Sequence, residues 1–164
     1  MRLGALAALA AVVLAFVVRP ALAETLPGAR LPVPTGEAIL VISGAITRTT
    51  DGVAALFDRS MLEVIATADG QDVSGPRWFV PLDALFAYVG AHGTAVEART
   101  FDEQRVRFAL AGLTDDTVLV VEPTAASPGA AASTKARVAL GLPAPDGDSD
   151  ATTVIDRVIR LRID

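Results

Sequence analysis

Hydrophobic residues between Trp78 and Ala91 follow first an extended and then a helical pattern. Pro81 suits the first turn of a helix, where its missing backbone N–H leaves no hydrogen bond unmade. Apolar side chains then recur at i, i+3, i+4 and i+7, on one helical face, at Leu82, Leu85, Phe86 and Val89. Gly90 suits a left-handed cap. The segment therefore predicts a strand-like end, a proline-led helix and a glycine stop.

The rest of the chain alternates short apolar runs with turn residues, which predicts a single α+β domain. We expect a mixed sheet of about six short strands with two or more helices. A second helix is predicted at Asp58–Ile65, where either Asp58 or Ser60 can act as the N-cap. The six strand-like runs are Ala38–Ser43, Thr94–Thr100, Gln104–Leu110, Thr117–Val121, Ala136–Leu140 and Arg157–Ile163. In the last run, Ile159, Leu161 and Ile163 are expected on the buried face, opposite Arg160 and Arg162.

Residues 1–23 are typical of a secretory signal peptide. Arg2 precedes a long apolar run, and Ala21-Leu22-Ala23 fits a small-residue cleavage site. An uncleaved membrane anchor is the alternative, although the run is short for a spanning helix. We expect a periplasmic or secreted protein with an extended lead-in at residues 24–36 and one domain at 37–164. No further membrane span is expected after cleavage.

Charge and cysteine content limit the possible chemistry. Removal of Arg2 and Arg19 with the signal takes the formal net charge from −5 to −7. This acidity argues against nucleic acid as a partner, because phosphate contacts need a basic surface. The chain contains no cysteine, which excludes thiol nucleophiles, zinc–thiolate sites and disulfides.

Four segments resemble the oxidoreductase molybdopterin-binding domain family, which has the sulfite oxidase fold. Trp78–Ala91 is similar to its "GVPLxxLLxxVGA" helix, and Glu37–Ile46 to its opening "LxVxGxI" strand. Phe57–Glu63 resembles the "FDxAMLExL" helix, and Val154–Ile163 the "SIWQLxRIxV" terminal strand. The resemblance implies a sulfite-oxidase-like fold and an ancestral pocket for a redox cofactor.

The chain also departs from that family where the cofactor is held. Members that use the cofactor place a cysteine thiolate on molybdenum and bring histidines and arginines to the pterin phosphate. Here cysteine is absent and His92 is the single histidine. Glu122–Pro143 lacks the "GKPLPxRxxGPLWLVYP" pattern of the smaller members. We therefore expect no cofactor, no metal and no catalytic residue.

The candidate ligand-binding residues are Arg77, Trp78, His92 and Arg99. Arg77-Trp78 pairs a guanidinium with an indole, which together can clamp an anionic or aromatic ligand. The alternative is that Trp78 is a core side chain and Arg77 extends to solvent. His92 is either a proton shuttle or an exposed loop residue. Arg99, with Arg105 and Arg107, adds positive charge to one sheet face.

The acidic clusters of the sequence do not match a known metal-binding pattern. Asp146–Asp150 reads D-G-D-S-D and resembles the start of a calcium loop. It lacks the glycine that an EF-hand has at the sixth loop position and the glutamate at the twelfth. A solvated turn is the simpler interpretation.

Together these observations predict an exported, non-catalytic domain that acts as a ligand-binding or accessory module of a periplasmic redox or sensory system. Its partner would be a periplasmic protein or a small ligand. A molybdopterin-dependent oxidoreductase and a purely structural secreted domain are the alternatives.

Overall fold

The computed structural model describes residues 30–114, 117–123, 136–143 and 152–164. These residues form nine strands and two α-helices, which confirms the predicted α+β class. The elements are β1 (Leu40–Gly44), β2 (Ala54–Phe57), α1 (Arg59–Ala68), β3 (Trp78–Pro81), α2 (Leu82–Val89), β4 (Ala95–Thr100), β5 (Arg105–Ala109), β6 (Val118–Pro123), β7 (Ala136–Pro143), β8 (Thr152–Ile155) and β9 (Val158–Ile163).

The strands form two sheets rather than the one that the sequence predicts. A five-stranded sheet has the order β2-β1-β9-β4-β5, and a four-stranded sheet has the order β3-β6-β7-β8. The first sheet is mixed, because β1 and β9 run parallel while its other pairs are antiparallel. All six predicted strands are present, and the strand-like end at Trp78 is β3. The short strands β2 and β8 are additional.

Strand β9 holds the middle of the five-stranded sheet. It pairs in parallel with β1 and antiparallel with β4. Its side chains Val158, Leu161 and Ile163 are buried. At the end of β1, Gly44 has φ of 95° and lies so close to the Ile163 carbonyl that a Cβ atom would overlap it. Only glycine meets both demands at this position.

A β-bulge interrupts β9 at Ile159. Thr100 of β4 lies opposite Val158, whereas Arg99 lies opposite Arg160, so that Ile159 is an extra residue on β9. Such a bulge shifts the alternation of side chains along the strand. The prediction that Ile159 is buried with Leu161 is therefore wrong, and Ile159 is 38% exposed.

Helix α2 follows its predicted pattern closely. Pro81 ends β3 and is also the N-cap residue, one position earlier than the first helical turn. Gly90 ends the helix in the left-handed conformation, with φ of 65° and ψ of 50°. The four apolar residues of the predicted face are all buried, namely Leu82, Leu85, Phe86 and Val89. They join one core that both helices and both sheets share.

Helix α1 begins at a carboxylate that also fixes the segment before β1. Asp58 is the N-cap, and its Oδ1 accepts hydrogen bonds from the backbone N–H of Met61 and the hydroxyl of Ser60. Its Oδ2 accepts the backbone N–H groups of Thr35 and Gly36, at 2.9 and 2.8 Å. Of the two N-cap candidates the structure thus selects Asp58.

The described part of the lead-in packs on the domain. Leu31 is 3% exposed and donates its backbone N–H to the Thr49 carbonyl. Residues 30–36 have no regular secondary structure. The predicted signal peptide and the Asp146–Asp150 turn lie outside the described residues. Within those residues, no helix has the length and apolarity needed to cross a bilayer.

The Asp58 carboxylate gives the first testable prediction. Burial raises the pKa of Asp58. The hydrogen bonds that it accepts from Gly36, Met61, Ser60 and Thr35 lower the pKa by more than burial raises it, so the net shift is downward. A lowered folded-state pKa adds stability that is present above the unfolded value of about 3.9 and is lost as pH falls through the folded value.

We expect Asp58→Asn to lower the free energy of unfolding by about 1–3 kcal/mol at pH 7, because hydrogen bonds to a charged group are lost. Urea unfolding at several pH values measures this difference, which should shrink below about pH 4. Asp69→Asn is the control, because Asp69 is exposed and should change stability by less than about 0.5 kcal/mol. A difference that is constant with pH would contradict a role for the charge.

Candidate functional site

A cleft of about 540 Å³ lies where β7 of the four-stranded sheet meets the outer face of the five-stranded sheet. Its walls come from the segment before β1, from β1, β4, β7 and β9, and from the β4–β5 and β8–β9 turns. The lining residues are Glu37, Ala38, Ile39, Val41, Arg99, Phe101, Glu103, Arg137, Val138, Arg157, Val158, Ile159 and Arg160.

A row of side chains crosses four strands, and its members on β1, β9 and β4 form one wall of the cleft. Val41 of β1 lies opposite Arg160 of β9, and Arg160 lies opposite Arg99 of β4. Arg99 in turn lies opposite Arg105 of β5. Directly opposed residues project from the same face of a sheet. Three guanidinium groups therefore stand side by side on the outer face, which fits the predicted positive charge around Arg99 and Arg105.

Acidic residues balance most of the guanidinium groups around the cleft. Arg99 pairs with Glu103, and Arg157 pairs with Asp102 at 2.7 Å. Outside the lining, Arg105 lies 3.9 Å from Glu97.

Two further acids form ion pairs with Arg137 on β7. Arg137 lies 3.0 Å from Glu122 and 3.5 Å from Asp156. Arg160 differs from the other cleft arginines, because it has no ion pair among the described residues.

Two arginine donors at the cleft have no hydrogen-bond partner. Among the described residues, four buried side-chain nitrogens lack a partner, and two of them are Arg99 Nε and Arg137 Nε. A buried N–H without an acceptor costs about 1–3 kcal/mol relative to one that is satisfied. Both nitrogens belong to residues that line the cleft.

Apolar groups form the rest of the accessible lining. Phe101 is 64% exposed, and the Arg157 guanidinium lies 5.4 Å from the centre of its ring. Ile39 and Val41 are partly buried, and Ile159 is exposed because of the bulge. The cleft thus combines cationic and hydrocarbon surfaces within one small volume.

The backbone is irregular at three points of this cleft. Glu103 and Arg157 have φ of 65° and 51°, and they are the only non-glycine residues with positive φ in the described part of the chain. The bulge at Ile159 is the third. Left-handed backbone costs a non-glycine residue about 1–2 kcal/mol. Strained positions and bulges occur preferentially at functional sites, so their convergence marks this cleft.

Of the four residues that the sequence selects, only Arg99 lines the cleft. Trp78 is 1% exposed and belongs to the core, as its alternative interpretation states. Arg77 is exposed, with its guanidinium 6.0 Å from the Phe79 ring. His92 is exposed, and its Nδ1 lies 3.2 Å from the Gly90 carbonyl. An indole buried to this extent offers no face for a ligand, whereas binding roles for Arg77 and His92 stay predictions.

Sequence reasoning did not select Phe101, Arg137, Arg157 or Arg160 as site residues. The alternating pattern does place Arg160 on the exposed face of β9. No local motif joins it to Arg137, because the two residues meet only through the pairing of distant strands. The sequence feature that comes nearest to indicating these cleft residues is the high proportion of arginine in the predicted strands.

The donor set does not fit a molybdenum cofactor. The thiolate that holds the metal in the resembled family has no counterpart, because the chain lacks cysteine. Within the described ranges, no group of three His, Cys, Asp or Glu residues is arranged to hold a metal ion. The cleft instead offers guanidinium groups, which bind and orient oxyanions.

No family model matches the chain, and no curated protein matches it.

Backbone strain at the cleft can be measured by comparing glycine with alanine at Glu103. Both Glu103→Gly and Glu103→Ala remove the ion pair with Arg99, so they differ only in backbone preference. Because the local φ is positive, we expect the glycine variant to be more stable than the alanine variant by about 1 kcal/mol.

Chemical denaturation of the two Glu103 variants measures that difference. The matched control is Asp102, the preceding residue, which is not among the positive-φ residues. There the order should be reversed, with Asp102→Ala more stable than Asp102→Gly. The same order at both positions would contradict strain at Glu103.

Proposed function

We propose that this chain is a non-catalytic, ligand-binding module and that the cleft between its two sheets binds a small organic ligand. The observation that carries the proposal is the convergence of Glu103, Arg157 and the Ile159 bulge on one cavity. A fold retains strained backbone at a cost in stability, and a binding role for the surrounding surface explains why it is kept.

The size and lining of the cavity support the same proposal. A volume of about 540 Å³ falls within the range of about 300–1,000 Å³ that is usual for small-molecule pockets. Such pockets are mainly apolar, with a few polar groups that orient the ligand. Here Ile39, Val41 and Phe101 provide apolar surface, and four arginines provide the orienting groups.

The wider role in this proposal follows from the sequence. Residues 1–23 have the features of a secretory signal, and the domain resembles a cofactor-binding family without its metal-binding thiolate. An accessory or sensory module of a periplasmic system, which responds to a ligand or contacts a partner protein, accommodates both features. This part of the proposal rests on resemblance and compartment.

A binding experiment with a blocking variant tests the proposal. Amide chemical shifts of the isotopically labelled protein are followed during titration with 1-octanol, octanoate and octylammonium. We expect at least one of them to shift signals of cleft residues saturably, with a Kd below about 1 mM.

The matched variants are Ala38→Phe and Ala68→Phe. Ala38 lines the cleft and is exposed, so an added ring there should occupy the cavity and abolish the shifts. Ala68 is an exposed alanine at the end of α1, outside the cleft lining, and the same change there should leave binding intact. Saturable shifts that persist in Ala38→Phe, or no shifts with any compound, would contradict the proposal.

A further inference from the structure

We infer that the cleft selects an amphipathic oxyanion, a carboxylate or phosphate head group on a hydrocarbon body, and that Arg160 is the residue that recognises the head group. This inference rests on the proposed function and names the chemical class of its ligand. It is carried by the charges, unpaired donors and apolar surfaces that line one cavity.

The first argument is the balance of charge along the cross-strand row. Like charges placed directly opposite each other destabilise a sheet. Arg160 stands opposite Arg99, and Arg99 also stands opposite Arg105. Glu103 offsets Arg99 and Glu97 offsets Arg105. No described acid pairs with Arg160, so an anion bound beside it would relieve repulsion that the described acids leave in place.

The second argument is the supply of hydrogen-bond donors. Arginine has five N–H donors and no acceptor, so its natural partner is an oxyanion, which only accepts. The Arg160 guanidinium is exposed at the cleft. Arg99 Nε and Arg137 Nε are buried and have no acceptor among the described residues. A carboxylate or phosphate can accept two parallel bonds from one guanidinium and still has lone pairs for another donor.

The acidic residues of the lining do not favour a cationic ligand to the same extent. Glu103 is engaged by Arg99, and Glu37 also has an interaction partner. An incoming cation would compete with these existing contacts. An anion at Arg160 displaces no described ion pair. The cleft is therefore expected to prefer a negatively charged ligand over a positively charged one.

The third argument is the position of the apolar surface. Val41 is the direct cross-strand neighbour of Arg160, and Ile159 precedes Arg160 in the chain. Ile39 and the exposed Phe101 ring line the same cavity. A head group at Arg160 therefore has hydrocarbon surface beside it for the rest of the ligand, which a simple inorganic anion would leave uncovered.

Calorimetric titration with three octyl compounds tests the inference. Octanoate, octyl phosphate and 1-octanol share one hydrocarbon body and differ in the head group. We expect one or both anions to bind at least about tenfold more tightly than 1-octanol. Their relative affinity distinguishes a carboxylate from a phosphate ligand. Binding of the anions, but not of 1-octanol, should weaken as salt rises from about 0.05 to 0.5 M.

Two variants on the same face of β9 identify the responsible residue. Arg160→Gln should weaken binding of the anions at least about tenfold and leave 1-octanol unchanged, because it removes the charge and the fork of donors. Arg162→Gln is the matched control. Arg162 is also exposed on β9, is bonded to Asp164 at 3.0 Å and does not line the cleft. The Arg162→Gln variant should bind all three compounds with the affinity of the unmodified protein.

The outcomes separate this inference from the proposed function. If 1-octanol binds as tightly as the anions in calorimetry, or octylammonium as tightly as octanoate in the NMR titration, the inference is overturned while the cleft remains a binding site. If Arg160→Gln weakens 1-octanol equally, Arg160 acts only structurally and the inference is also overturned. If no compound binds, both fail. The comparison of head groups on the unmodified protein holds even if a variant does not fold.

Discussion

The pairing of β9 with its two neighbours is the interaction on which the rest of the structure depends. In the five-stranded sheet, β2 and β1 lie on one side of β9, and β4 and β5 lie on the other. Without β9 the two halves share no hydrogen-bonded ladder. The same strand places Leu161 and Ile163 in the core and Arg160 at the cleft. Stability and the candidate site therefore use opposite faces of one strand.

The cleft and the core impose different demands on this strand. Burial of apolar residues favours strict alternation, and the bulge at Ile159 breaks it. Strain at Glu103 and Arg157 adds a further cost. The regular parts of the fold offset these costs, with α2 packed through four buried side chains and Asp58 joining the lead-in to α1. This division is typical of proteins in which a stable scaffold supports a strained binding surface.

Local sequence signals predicted the local structure well. Pro81 and Gly90 bound α2 because each restricts or permits particular backbone angles whatever its neighbours are. Four-residue strands such as β2 are too short to show a period, and Ala54-Ala55 has little strand preference. Arg99 was selected for its charge, but its neighbours at the cleft could not be, because strand pairing over long separations brings them together. Trp78 proved ambiguous because a large aromatic residue suits a core and a pocket equally.

The position of β9 in the chain also has a consequence for how the molecule folds. Its partner β1 lies more than a hundred residues earlier, since Val41 pairs with Arg160. Contacts between distant residues form slowly, because a long loop must close before they gain any free energy. Until β9 arrives, β1 and β4 each have an unpaired edge that another chain can join. Pairing of β9 with β1 and β4 therefore also closes two edges through which the chain could associate with another copy.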